Sequence, residues 1–97
     1  MEITVEELLA FANQHANDDW KTGPRELSFS YRVTDSGIEY TPGTGTSRLV
    51  PRNELASFCE EFRELRSFSP GKYPDRWHKS YTLPLIRKLL QSKGLIV

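Results

Sequence analysis

The sequence predicts an α+β domain in the order αβββαα, three helices packed on one face of a small three-stranded antiparallel sheet. Three observations predict it. Residues 53–66 place Leu55, Phe58, Cys59, Phe62 and Leu65 at three- and four-residue steps, so all five share one side of a 3.6-residue helix. Residues 27–33 alternate, with Leu27, Phe29, Tyr31 and Val33 facing one way and Ser28, Ser30 and Arg32 the other, which is the period of a strand with one buried face. Thr34-Asp35-Ser36-Gly37 then supplies a hairpin turn, with Gly37 available for positive φ. A helix as short as 53–66 is marginal alone in water, so its two-phenylalanine stripe has to be roofed by the rest of the chain.

The first helix is announced by Thr4 and Glu7, the spacing of a capping box, with Ile3 and Leu8 placed for a hydrophobic staple. Val5, Leu8, Leu9, Phe11, Ala12 and Ala16 form its apolar side, and it is expected to fade near Asn17, ahead of Gly23-Pro24. Beyond the hairpin, Ile38 and Tyr40 continue the inward face. Pro42-Gly43-Thr44-Gly45 breaks the chain, and Thr46 to Val50 reads as a third strand. The outward sheet face, with Ser28, Ser30, Arg32 and Glu39, is expected to be wet. Residues 67–79 hold two prolines, one glycine and three aromatics among their polar residues, the composition of a structured loop with at most one helical turn. Ser80 or Thr82 is placed to cap the last helix, with Pro84 in its first turn and Leu83, Ile86, Leu89 and Leu90 on its apolar side; Gly94 ends it.

At 97 residues the chain makes one domain, residues 1–97, with a single modest core. Neither an apolar run of membrane-spanning length nor a basic leader is visible, and the single cysteine permits no internal disulfide, so a cytoplasmic location is expected. The net charge is zero but unevenly spread: residues 1–45 carry three Lys/Arg against eight Asp/Glu, and residues 46–97 carry ten against five. Such asymmetry suits either a polyanionic partner or attraction between the two halves.

Chemistry-bearing patterns are few. Gly43-Thr44-Gly45-Thr46-Ser47 lacks the lysine and spacing of a phosphate loop and reads as a turn. His15, His78 and Cys59 show no metal-ligand spacing, and no cofactor is implied. Asp75 and His78 have the spacing of an acid–base pair, yet such pairs in loops are usually surface hydrogen bonds, so an enzyme is not expected.

What remains is a basic, aromatic stretch. Lys72, Tyr73, Arg76, Trp77 and Lys79 are followed by Arg87 and Lys88, and preceded by Arg48 and Arg52. Cations at phosphate contacts, with Tyr73 or Trp77 stacking on bases, would make a nucleic-acid interface. The competing reading makes the aromatics core anchors and the lysines solubilising. A protein partner or homodimer contact through Leu95, Ile96 and Val97 is the alternative function, and a ligand cavity near Trp77 lined by Tyr31 and Tyr40 is a third.

Gly45-Thr46-Ser47-Arg48-Leu49-Val50, the helix bearing Leu55 and Phe58, and Ser80-Tyr81 leading into Leu85-Ile86 resemble small winged-helix-like modules appended to bacterial restriction and defence nucleases. The likeness covers about half the chain and implies a nucleic-acid-associated role in a bacterial-type protein. The added amino-terminal helix and the missing nuclease portion depart from that pattern.

Overall fold

A computed structural model describes residues 3–22, 26–43 and 45–96. The elements run α1 (Val5–Gln14), β1 (Trp20–Lys21), β2 (Ser28–Thr34), β3 (Gly37–Pro42), β4 (Arg48–Pro51), α2 (Arg52–Leu65), a 3-10 turn at Pro70–Lys72, and α3 (Lys79–Ser92). The class is the expected α+β, with one correction. The sheet has four antiparallel strands in the order β1-β2-β3-β4, not three. The added strand is the pair Trp20-Lys21, in register with Phe29 and Ser28. Two residues are too few to show alternation, so the turn-rich composition around them hides the strand.

Local chemistry fixes the element ends. The Thr4 hydroxyl accepts the amide of Glu7 at 3.1 Å, capping α1 as its sequence predicts, and the helix stops at Gln14, short of Asn17. Gly37 closes the β2–β3 hairpin at φ +148°, and a Cβ there would lie 2.0 Å from the Val50 carbonyl oxygen. The glycine therefore serves the turn and also lets β4 approach. At the end of α3, Gly94 at φ +72° donates its amide to Gln91 while Leu95 donates to Leu90, the double closure of a Schellman motif. Gly23, Pro24, Thr44 and Val97, to which expectations attached, lie outside the described residues.

The core lies between the sheet and its helices. Trp20, Phe29, Tyr31, Ile38, Tyr40 and Val50 face inward from the strands and are buried against Leu8 and Ala12 of α1, Leu55, Phe58 and Phe62 of α2, and Ile86 and Leu90 of α3. The outer sheet face is wet as expected, with Arg32 opposite Glu39 in a 3.0 Å ion pair. Two stripe assignments fail at element ends, since Leu27 precedes β2 and Leu65 closes α2, and both are exposed. Cys59 is buried in the core, and burial pushes its thiol up to about 11.

The last helix departs from expectation at its start. It begins at Lys79 with His78 as its cap residue and no side-chain cap. Thr82 does not cap it; its side chain turns into the core. Pro84 consequently falls in the second turn, where its missing N–H removes the i→i−4 bond to the Ser80 carbonyl.

Candidate polyanion interface

The inward stripe of α3 dictates what its outward face presents. With Leu83, Leu85, Ile86, Leu89 and Leu90 buried, the residues left to border solvent include Ser80, Pro84, Arg87, Lys88 and Gln91. These five form one wall of a groove of about 530 Å³. Leu83 lies with them, and Trp20, Lys21 and Thr22 of the β1 region, Phe68, Ser69 and Pro70 of the loop after α2, and Asp19 and Glu26 make up the rest of its lining. That volume falls in the range of small-ligand sites.

Two of the predicted cations are held on this wall by aromatic rings. The Arg87 guanidinium lies 4.4 Å over the Phe68 ring, and Lys88 Nζ lies 5.3 Å over the Trp20 ring. Trp20 is itself pinned, its indole N–H donating to the His15 carbonyl at 2.9 Å. A cation–π contact contributes about 0.5–1 kcal/mol at an exposed site. It orients a side chain without cancelling its charge, whereas a carboxylate partner does both. Asp19 and Glu26 also border the groove, so its field is positive on the α3 wall rather than throughout.

Arg48 follows the same rule at another position, its guanidinium 3.9 Å over the Trp77 ring. Trp77 is 38% exposed, with Arg48 over one face of its ring. Lys72 is exposed and Lys79 half-buried, and neither forms an ion pair among the described residues.

The remaining predicted residues are spent within the fold. Tyr73 is fully buried, packed on Phe58 with its hydroxyl donating to the Ser67 carbonyl at 2.7 Å; it anchors the loop and presents no face to a base. Arg76 is gripped by Glu54 at 2.7 Å, Ser57 at 2.8 Å and Glu61 at 3.3 Å. Arg52 pairs with Glu6 at 2.7 Å, and Lys93 pairs with Glu7. These last two pairs join the acidic amino-terminal part to the basic carboxy-terminal part, so attraction between the halves accounts for some of the charge asymmetry.

Beneath Arg76 runs a buried polar chain. His78 Nε2 lies 3.0 Å from Glu54 Oε2 and Nδ1 lies 2.8 Å from Thr82 Oγ1, which is 2.8 Å from the Tyr40 hydroxyl. The partner of His78 is therefore Glu54, not Asp75. Burial, reinforced by Arg76, outweighs the Glu54 attraction and holds the imidazole below its ordinary range. Burial raises the Glu54 carboxyl, but hydrogen bonds from His78 and Arg76 outweigh it and hold the group low. The order carboxylate, imidazole, hydroxyl is that of a nucleophile activated by a base. Here Thr82 is fully buried and its oxygen is already engaged by Tyr40.

Among the described residues no group of three His, Cys, Asp or Glu side chains could hold a metal, and no helix is long and apolar enough to cross a membrane. The groove is not the cavity foreseen beside Tyr31 and Tyr40: both tyrosines are buried, and the Tyr31 hydroxyl donates to the Ala12 carbonyl at 2.7 Å. Sequence reasoning missed Trp20, Lys21 and Phe68 as groove residues, because nothing in their spacing ties them to α3. No protein-family model, curated protein or solved structure matches the chain.

Proposed function

We propose that this chain is a non-enzymatic binding module that contacts an anionic partner, nucleic acid first, along the outward face of α3 and its groove. One observation carries the reading: Arg87 and Lys88 stand on that wall with no carboxylate partner among the described residues, each held over an aromatic ring beside an open groove. Cations kept charged and preoriented release counterions on meeting phosphates, at little further ordering cost. Arg48 and Trp77 add a cation and a partly exposed ring, the pairing that single-stranded nucleic acids use. The resemblance to winged-helix-like modules points the same way.

The test is fluorescence anisotropy with short single-stranded DNA and RNA at low and moderate salt. Affinity is expected to fall with salt, by roughly 0.7 logarithmic units per phosphate contact for each tenfold rise in salt on a single strand. Reversal of both groove cations, Arg87→Glu with Lys88→Glu, is expected to weaken binding by about tenfold or more. Reversal of Arg32, paired with Glu39 on the outer sheet face, should leave it unchanged. Absence of binding at low salt, or equal losses in both variants, would overturn the reading.

A second reading has one observation in its favour. Leu95 is 47% exposed beside Ile96, which packs on the core, so the tail offers an apolar contact to a protein partner or second copy. Light scattering of the chain and of Leu95→Asp separates the readings: a dimer abolished by the substitution supports the tail contact.

A further inference from the structure

The buried chain below Arg76 is satisfied in one proton arrangement only. Glu54, held ionised, accepts, so His78 Nε2–H must be the donor to it and Nδ1 the acceptor of the neutral ring. Thr82 therefore gives its hydroxyl hydrogen to Nδ1 and receives that of Tyr40. The direction Tyr40 to Thr82 to His78 to Glu54 follows from the contacts at 2.8, 2.8 and 3.0 Å. His78, Thr82 and Tyr40 are each 0% exposed, so water cannot make good a lost partner.

A proton added at Nδ1 breaks this arrangement. Thr82 must then turn its hydrogen elsewhere. The carbonyl of His78, four residues back, already accepts the amides of Tyr81 and Thr82, both at 2.9 Å. If Thr82 donates to Tyr40 instead, the tyrosine hydrogen is stranded in the core, at the cost of an unmade buried hydrogen bond. The groups facing the ring from each packed element are Glu54 of α2, Arg76 of the loop with Glu61 behind it, Thr82 of α3 and Tyr40 of β3. The Glu54 attraction lowers the cost of a charged ring; Arg76 and burial raise it.

We propose that His78 is a proton-operated latch: closed at neutral pH, it ties the first turn of α3 to β3 and α2, and protonation lets that turn and the adjoining Trp77 move away from the sheet. His78 is the cap residue of α3 and the neighbour of Trp77, so release of its ring frees both at once. The latch goes beyond the binding reading and stands whether or not the groove takes a polyanion.

The experiment is an NMR pH titration of the full chain from 7.5 to 5 in the His15→Gln background, which leaves His78 as the sole histidine. The expected result is a shift of the Trp77 indole signal and of the amides of residues 79–82, with a midpoint below that of a free imidazole. Amide exchange in that turn, corrected for intrinsic rates, should rise about tenfold per pH unit once protonation drives opening. The Trp20 indole signal should stay in place over the same range. Thr82→Val, which removes the pivot of the chain, should move the transition; should that variant not fold, the His78 ring carbon signal read directly in the parent supplies the midpoint. An unresponsive ring above pH 5, or Trp20 and Trp77 moving together in one global transition, would overturn the proposal.

Discussion

At the scale of single residues, the informative distinction is between a side chain that anchors and one that is left to act. Tyr40, Thr82 and His78 are anchors, and the direction of their hydrogen bonds makes them unequal. Removal of the Tyr40 hydroxyl leaves Thr82 still donating to His78, so Tyr40→Phe is expected to cost about 1 kcal/mol. Thr82→Val strands both Tyr40 and His78 Nδ1 and is expected to cost about 2–4 kcal/mol for two buried groups left unpaired; urea unfolding of the two variants side by side checks the order. Arg87 and Lys88 belong to the other kind. Their rings hold them in place while their charge stays available, which is why reversing them is expected to change affinity far more than stability. Among the stretch that reads as basic in the sequence, Arg76 and Tyr73 prove to be anchors instead. The difference was invisible because a residue name does not say whether Glu54 or solvent stands opposite.

At the scale of elements, what repeated locally was legible and what depended on distant partners was not. α2 shows its 3.6 period over fourteen residues, and β2 alternates over seven; both could be read with their buried faces. The cap at Thr4 and the stop at Gly94 are local hydrogen-bond motifs and were legible for the same reason. β1 is two residues long, and its existence rests on pairing with β2 across a turn, so composition pointed the wrong way. Thr82 looked like a cap because hydroxyl residues cap helices, but a tyrosine from β3 claims it. The groove was illegible throughout, since its walls come from β1, the loop after α2 and α3. The hairpin supports a sharp test. Gly37→Ala forces a side chain into φ +148° and to 2.0 Å of the Val50 carbonyl, so a loss of about 3 kcal/mol or more is expected in thermal or urea unfolding. A near-neutral result would mean that β4 does not press on the hairpin.

At the scale of the whole molecule, charge organises the chain in two ways. Glu6 with Arg52 and Glu7 with Lys93 tie α1 to later elements, and being exposed they contribute little to stability each. Protonation of the buried chain weighs more. The native His78 lies below its ordinary 6.5 and Glu54 below its ordinary 4.5, so on acidification the unfolded chain takes up these protons first. Stability is therefore expected to be full above about pH 6.5 and to fall as the pH drops, through His78 first and then Glu54. Unfolding midpoints in urea between pH 8 and 4 check the sign, and a rise in stability toward acid would contradict it. Binding is expected on the face that α3 turns outward. Its most direct test is amide and side-chain shift mapping with a short single-stranded oligonucleotide at low salt. Movement is expected at Lys21, Ser80, Arg87 and Lys88 with none at Ser28, Ser30 and Arg32 on the outer sheet; shifts on that outer face, or no shifts at all, would rule out binding along α3.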